Sequence, residues 1–143
     1  MVKIIKSQTT NSKSQISSNN EIPIPKTNKT SSYDLEERTY KFAKNVALYC
    51  KKLPKTTSNL EYTKQAVKSS GSAGANYIEA NESLSRKDFI MRLKISRKES
   101  KESAYWLRLI IETNLKEFIQ EGLSLRGETT ELKKIFSSII DKA

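Results

Sequence analysis

Residues 85–113 read SRKDFIMRLKISRKESKESAYWLRLIIET, and this stretch decides the fold. Ser85 suits an N-cap, because a serine oxygen accepts a hydrogen bond from the unpaired amides of a first helical turn. Asp88, three residues on, completes a box-like start. Neither proline nor glycine interrupts the run from there to Thr113. Phe89, Leu93, Ser96, Ser100, Ser103, Leu107 and Ile110 step by 4, 3, 4, 3, 4, 3, the spacing of a seam that faces another helix. The middle of that seam is serine, so a neighbouring helix is expected to approach closely there.

Upstream, Thr57-Ser58-Asn59 marks another helix start, and the following helix runs from about Leu60 to Asn81. Its centre is rich in small residues: Ser69, Ser70, Gly71, Ser72, Ala73, Gly74 and Ala75. A glycine inside a helix costs about 1 kcal/mol relative to alanine, so Gly71 and Gly74 either break this helix or are compensated by close packing. Further upstream, Asp34 reads as an N-cap with Glu36 and Glu37 in the first turn. Leu35, Phe42, Val46, Tyr49, Cys50 and Leu53 then recur at helical spacing until Pro54 stops the run. Downstream, Phe118, Ile119, Leu125, Leu132, Ile135, Phe136, Ile139 and Ile140 form the stripe of a last helix bounded by Asn114 and the C-terminus. A kink or break is open between Gly122 and Gly127. No run alternates with period two. The expected class is all-α, an antiparallel up-down four-helix bundle over residues 33–143.

Residues 1–32 differ in texture. Over 7–32, Ser, Thr, Asn and Lys dominate, with three isolated isoleucines and two prolines, Pro23 and Pro25. Such a segment buries too little apolar surface to offset its ordering entropy, so a disordered N-terminal arm is expected. Lys3, Lys6, Lys13, Lys26 and Lys29 against Glu21 give it a charge of +4, out of +10 for the whole chain.

That net charge, from 26 Lys and Arg against 16 Asp and Glu, favours an anionic partner. Histidine is absent, which removes the commonest general base and metal ligand. One cysteine, Cys50, allows no internal disulfide or thiolate cluster and fits a reducing cytoplasm. It lies on an apolar stripe without an activating histidine and reads as a small core residue. The first ten residues lack the apolar core of a signal peptide. No stretch reaches the about 20 apolar residues that span a bilayer. Phosphate-binding glycine patterns are missing, and di-metal bundles need Glu-x-x-His pairs. No enzyme, metal site, cofactor or membrane association is expected.

Two polar patterns remain. Gln65, Ser69, Ser72, Asn76 and Glu79 step by 4, 3, 4, 3, a polar stripe expected to face protein rather than water. It reads as a structural polar seam that fixes register, with a binding pocket as the competing reading. In the 85–113 helix, Lys87, Lys94, Lys101 and Arg108 lie seven apart and form one line, with Lys98 beside it. Asp88, Glu99 and Glu102 fall on the opposite flank. A solvated face, a phosphate-tracking surface and a head-to-tail subunit contact all fit such a line. Lys64 and Lys68 add to the candidate nucleic-acid-binding set.

The run Gln65-x3-Ser69-x2-Ser72-x3-Asn76-x2-Glu79, then Ser85-x-Lys87-Asp88-Phe89, Ser100-x-Glu102 and Tyr105-Trp106-Leu107, resembles the bacterial 23S rRNA intervening-sequence proteins. These are also called S23 ribosomal protein-like. The resemblance covers about Tyr33 to Ala143 and departs at Ala73 and Ala80, where the family tends to carry isoleucine and glycine. It implies a bundle assembled as a homopentamer, with Gly71 and Gly74 as close-contact positions inside a continuous helix. It also implies kinship with accessory proteins of diversity-generating retroelements, which bind nucleic acid and a reverse transcriptase. The resulting expectation is a non-enzymatic, oligomeric, cytoplasmic bundle that binds RNA or DNA through basic helix faces. The alternative is a protein-interaction scaffold or accessory subunit, for a partner such as a reverse transcriptase, whose charged flanks form subunit interfaces.

Overall fold

The computed structural model describes residues 32–143, with side chains from Asp34 onward. The arm expected over 1–32 lies outside the described residues, apart from Ser32. Four helices run in order: α1 Ser32–Lys51, α2 Thr57–Asn81, α3 Arg86–Thr113 and α4 Ile119–Lys142, with a 3₁₀ turn at Lys116–Phe118 before α4. The short connections force antiparallel neighbours. Each helix packs on the next, and α4 returns to α1. The described residues form an up-down four-helix bundle, with no strand among them.

The expected stripes supply the core. Leu35, Phe42, Val46, Tyr49, Cys50 and Leu53 of the α1 region are all buried, as are Leu93, Leu107 and Ile110 of α3 and Leu132 and Phe136 of α4. A fully buried leucine or phenylalanine contributes about 1.5–3 kcal/mol, so these residues carry most of the cohesion. The α3 start also matches the sequence. The Ser85 side chain accepts from the Asp88 amide at 3.1 Å. For α2 the cap is one residue earlier than expected: Thr56 accepts from the Asn59 amide. Asp34 is not a cap, because α1 opens at Ser32. It lies in the first turn, where its charge still meets the positive end of the helix dipole.

α2 is continuous through both glycines. Gly74 is a close-contact position: a Cβ there would stand 3.0 Å from Thr39 Oγ1 and 3.2 Å from Thr39 Cβ of α1. Gly71 is not, since a Cβ there would meet nothing within 4 Å. It faces outward, and nothing among the described residues compensates its propensity cost. α4 is likewise unbroken at Gly122 and Gly127. Gly122 is buried beneath α1 and α3, where a Cβ would fall 2.5 Å from the Tyr49 hydroxyl and 2.6 Å from Ile111 Cγ1. The interruption falls earlier, at the 3₁₀ turn, whose Phe118 carbonyl accepts a 2.7 Å hydrogen bond from Tyr49.

One polar clasp was not visible in the sequence pattern. Asn59 at the start of α2 and Asn114 at the end of α3 exchange side-chain amide bonds of 2.8 and 2.9 Å. Asn59 also donates to the Pro54 carbonyl, and Asn114 to that of Ile110. Asn59 is buried, and these bonds satisfy it.

Candidate nucleic-acid interface

The serine seam of α3 is the contact with α2. Ser96, Ser100 and Ser103 are fully buried. Ser103 and Ser69 hydroxyls pair at 2.8 Å, and Ser96 donates to the Ala73 carbonyl at 2.8 Å. A leucine at these positions would hold the helices apart. Serine lets backbone and hydroxyl meet.

The polar stripe of α2 lies along this contact and opens outward from it. Ser69 is buried, while Gln65, Ser72 and Asn76 are half-buried and Glu79 is exposed. Asn76 donates to the Ser72 carbonyl and hydroxyl and accepts from Arg92 of α3 at 3.0 Å. Gln65 donates to Glu61 on its own helix. The stripe thus ties α2 to α3 at Ser69 and Asn76.

α3 has two unlike flanks. Toward α2, Trp106 donates to Glu102 and lies 6.2 Å from Tyr62 of α2, with Tyr105 edge-on at 4.9 Å. Asp88, Glu99 and Glu102 on this side are half-buried. The flank toward α4 is marked by Arg97, which donates to Ser137 at 3.1 Å. Lys87, Lys94, Lys98, Lys101 and Arg108 lie on its outer side, and all five are exposed. Lys98 approaches Glu99 at 3.5 Å and Arg108 bonds Glu112 at 3.1 Å. Lys87, Lys94 and Lys101 form no ion pair among the described residues.

Lys64 and Lys68 do not extend that line. They border a groove between α1 and α2, with Lys44, Lys51 and Lys55. The candidate cations therefore form two separate surfaces. Sequence reasoning missed the three α1-side lysines, although Lys44 and Lys51 stand seven apart and share a face. Cys50 sits beneath the groove, and burial pushes its thiol up to about 11. Tyr49 is pushed up to about 12, first by burial, then by the neighbouring Cys50 and Glu121. No group of three or more metal-ligating side chains gathers among the described residues. No described helix is long and apolar enough to cross a membrane.

Serine-seamed helices, hydrogen-bonded small residues and cationic outer flanks define a small four-helix bundle protein. Residues 32–138 match the family model described as 23S rRNA-intervening sequence protein, and the chain belongs to that family. A crystal structure from Bacteroides thetaiotaomicron is similar, with 33% identity and a TM-score of 0.68 over 77% of this chain and 97% of that one. It is described as a protein of unknown function from the S23 ribosomal protein family. No curated protein matches the chain.

Proposed function

We propose that this chain is a non-enzymatic, oligomeric, cytoplasmic bundle that binds nucleic acid through the basic outer flank of α3. One observation carries the reading: Lys87, Lys94 and Lys101 are exposed, in line with Arg108, and unpaired with any carboxylate among the described residues. Seven residues of helix advance roughly 10 Å, so the four cations span roughly 31 Å, long enough to follow several phosphates. The family description refers to 23S rRNA, which makes RNA the first ligand to test. The missing histidines and the protonated, buried Cys50 support a role without catalysis or cofactor.

A salt titration tests this. Four phosphate contacts on a duplex give a slope of log K against log salt of about −3 to −4. Charge reversal at Lys94, Lys98 and Lys101 should weaken binding and leave helicity unchanged. No binding at low salt, or a flat salt response, sinks the proposal.

The second reading is a scaffold in which the two flanks of α3 meet between subunits, as the family's pentameric assembly implies. Opposite charge on opposite flanks favours it, and the half-burial of Asp88, Glu99 and Glu102 against α2 counts against it. There, the same charge reversal lowers the mass seen by light scattering and leaves no RNA binding to lose.

A further inference from the structure

The α1–α2 groove is unlike the α3 flank. Its volume is about 600 Å³, and it opens to solvent between two antiparallel helices. Ala47, Leu48 and Val67 give it an apolar floor, with Cys50 buried below. Leu48 is 46% and Val67 42% exposed. Lys44 and Lys51 line one wall, Lys64 and Lys68 the other, and Lys55 closes an end. No carboxylate lines the groove, and none of the five lysines makes an ion pair among the described residues.

The apolar floor continues along α2. Leu60, Val67, Gly71 and Ile78 fall on one helical face, and all four are exposed. Gly71 leaves open space where a side chain would stand, which flattens the middle of this stripe. From Leu60 to Ile78 the stripe runs roughly 27 Å, about five helical turns. The lysine rails flank this track at its Val67 section, while Glu61 and Glu79 of α2 lie beside its two ends.

We infer that this track docks an acidic amphipathic helix of a partner protein. An apolar helix face laid into a groove between helices is a common recognition mode, read through anchors at i, i+3 or i+4, and i+7. Lysines on both walls select carboxylates on both sides of that face. A phosphate backbone would satisfy the lysines and leave Leu48, Val67 and Ile78 wet. The chain's own N-terminal segment, with five lysines against one glutamate, carries the same sign as the rails. The acidic flank of α3 in a second copy is already half-buried against its own α2. An acidic helix from elsewhere meets both the apolar and the charge requirement.

The experiment uses the full chain and two labelled synthetic helical peptides with the same leucine heptad pattern. One is flanked by glutamate and the other by lysine. Fluorescence anisotropy at low salt should show the glutamate peptide binding at least about tenfold tighter. The K44E/K64E/K68E variant, altered only at exposed positions, should reverse that preference. Val67→Asp should weaken both peptides. Failure of the glutamate peptide to bind, or equal binding of both, overturns the inference. So does a variant that keeps its peptide preference but loses RNA binding, which would make the groove a nucleic-acid surface. A variant that falls to a smaller oligomer without any peptide also overturns it, by making a second copy the occupant. Lys87 and Lys94 lie outside the groove, so RNA binding through α3 stands or falls separately.

Discussion

The α2–α3 and α1–α4 contacts close the same bundle by different means. Between α2 and α3, serine and alanine bring two backbones together, and hydroxyls bond across a buried seam. Between α1 and α4, long side chains reach across a looser gap. Arg38 grips Glu128 through two bonds of 2.7 and 2.9 Å, Lys52 reaches Glu121, and the Tyr49 hydroxyl bonds the Phe118 carbonyl. Small residues make a contact that tolerates no added volume. Long residues make one that yields to solvent and pH.

The largest break should come at the serine seam. Ser96→Leu forces a large side chain against the Ala73 backbone and deletes a buried hydrogen bond. A loss of about 3 kcal/mol in a urea unfolding curve is expected. Next is the one place where the α1–α4 side is equally tight. Gly122→Ala drives a methyl into Tyr49 and Ile111 and should cost about 2 kcal/mol by the same measurement. Arg38→Ala should cost only about 0.5–1 kcal/mol, because both partners are partly exposed and salt screens them. If Arg38→Ala costs as much as Ser96→Leu, the contrast between the two contacts is wrong.

A pH effect separates them as well. Tyr49 and Cys50 keep their protons in the fold above their usual values of 10.0 and 9.0. The stability they contribute is complete below those values and is lost as pH rises toward about 12 and about 11. Thermal melts should therefore weaken progressively above pH 9, and Tyr49→Phe should remove the upper part of that slope. The α2–α3 hydroxyls do not titrate and should not contribute.

Much of the fold was legible in the residues. Periodicity placed α1, α3 and the stripe of α4, because apolar side chains at 3.6-residue spacing gather on the one helix face that packs. The serines of α3 were legible as a close-approach seam. The glycines were not. Gly71, Gly74, Gly122 and Gly127 carry the same local propensity. Only the neighbours across the bundle make Gly74 and Gly122 contact points and leave the other two open. The candidate cations split for the same reason. A helix line is visible in one segment, whereas the groove joins Lys44 and Lys51 to Lys64 and Lys68 across a turn. The Asn59–Asn114 clasp joins residues far apart in sequence and has no local signature.

Trp106 also gives the molecule an optical address. It is the chain's single tryptophan and sits against Tyr62, across the α2–α3 contact. Its emission should follow the docking of those two helices, whereas circular dichroism follows all four. If heating releases the α1–α4 side first, ellipticity will fall before the fluorescence shifts. If the bundle opens as one cooperative unit, the two signals will change together.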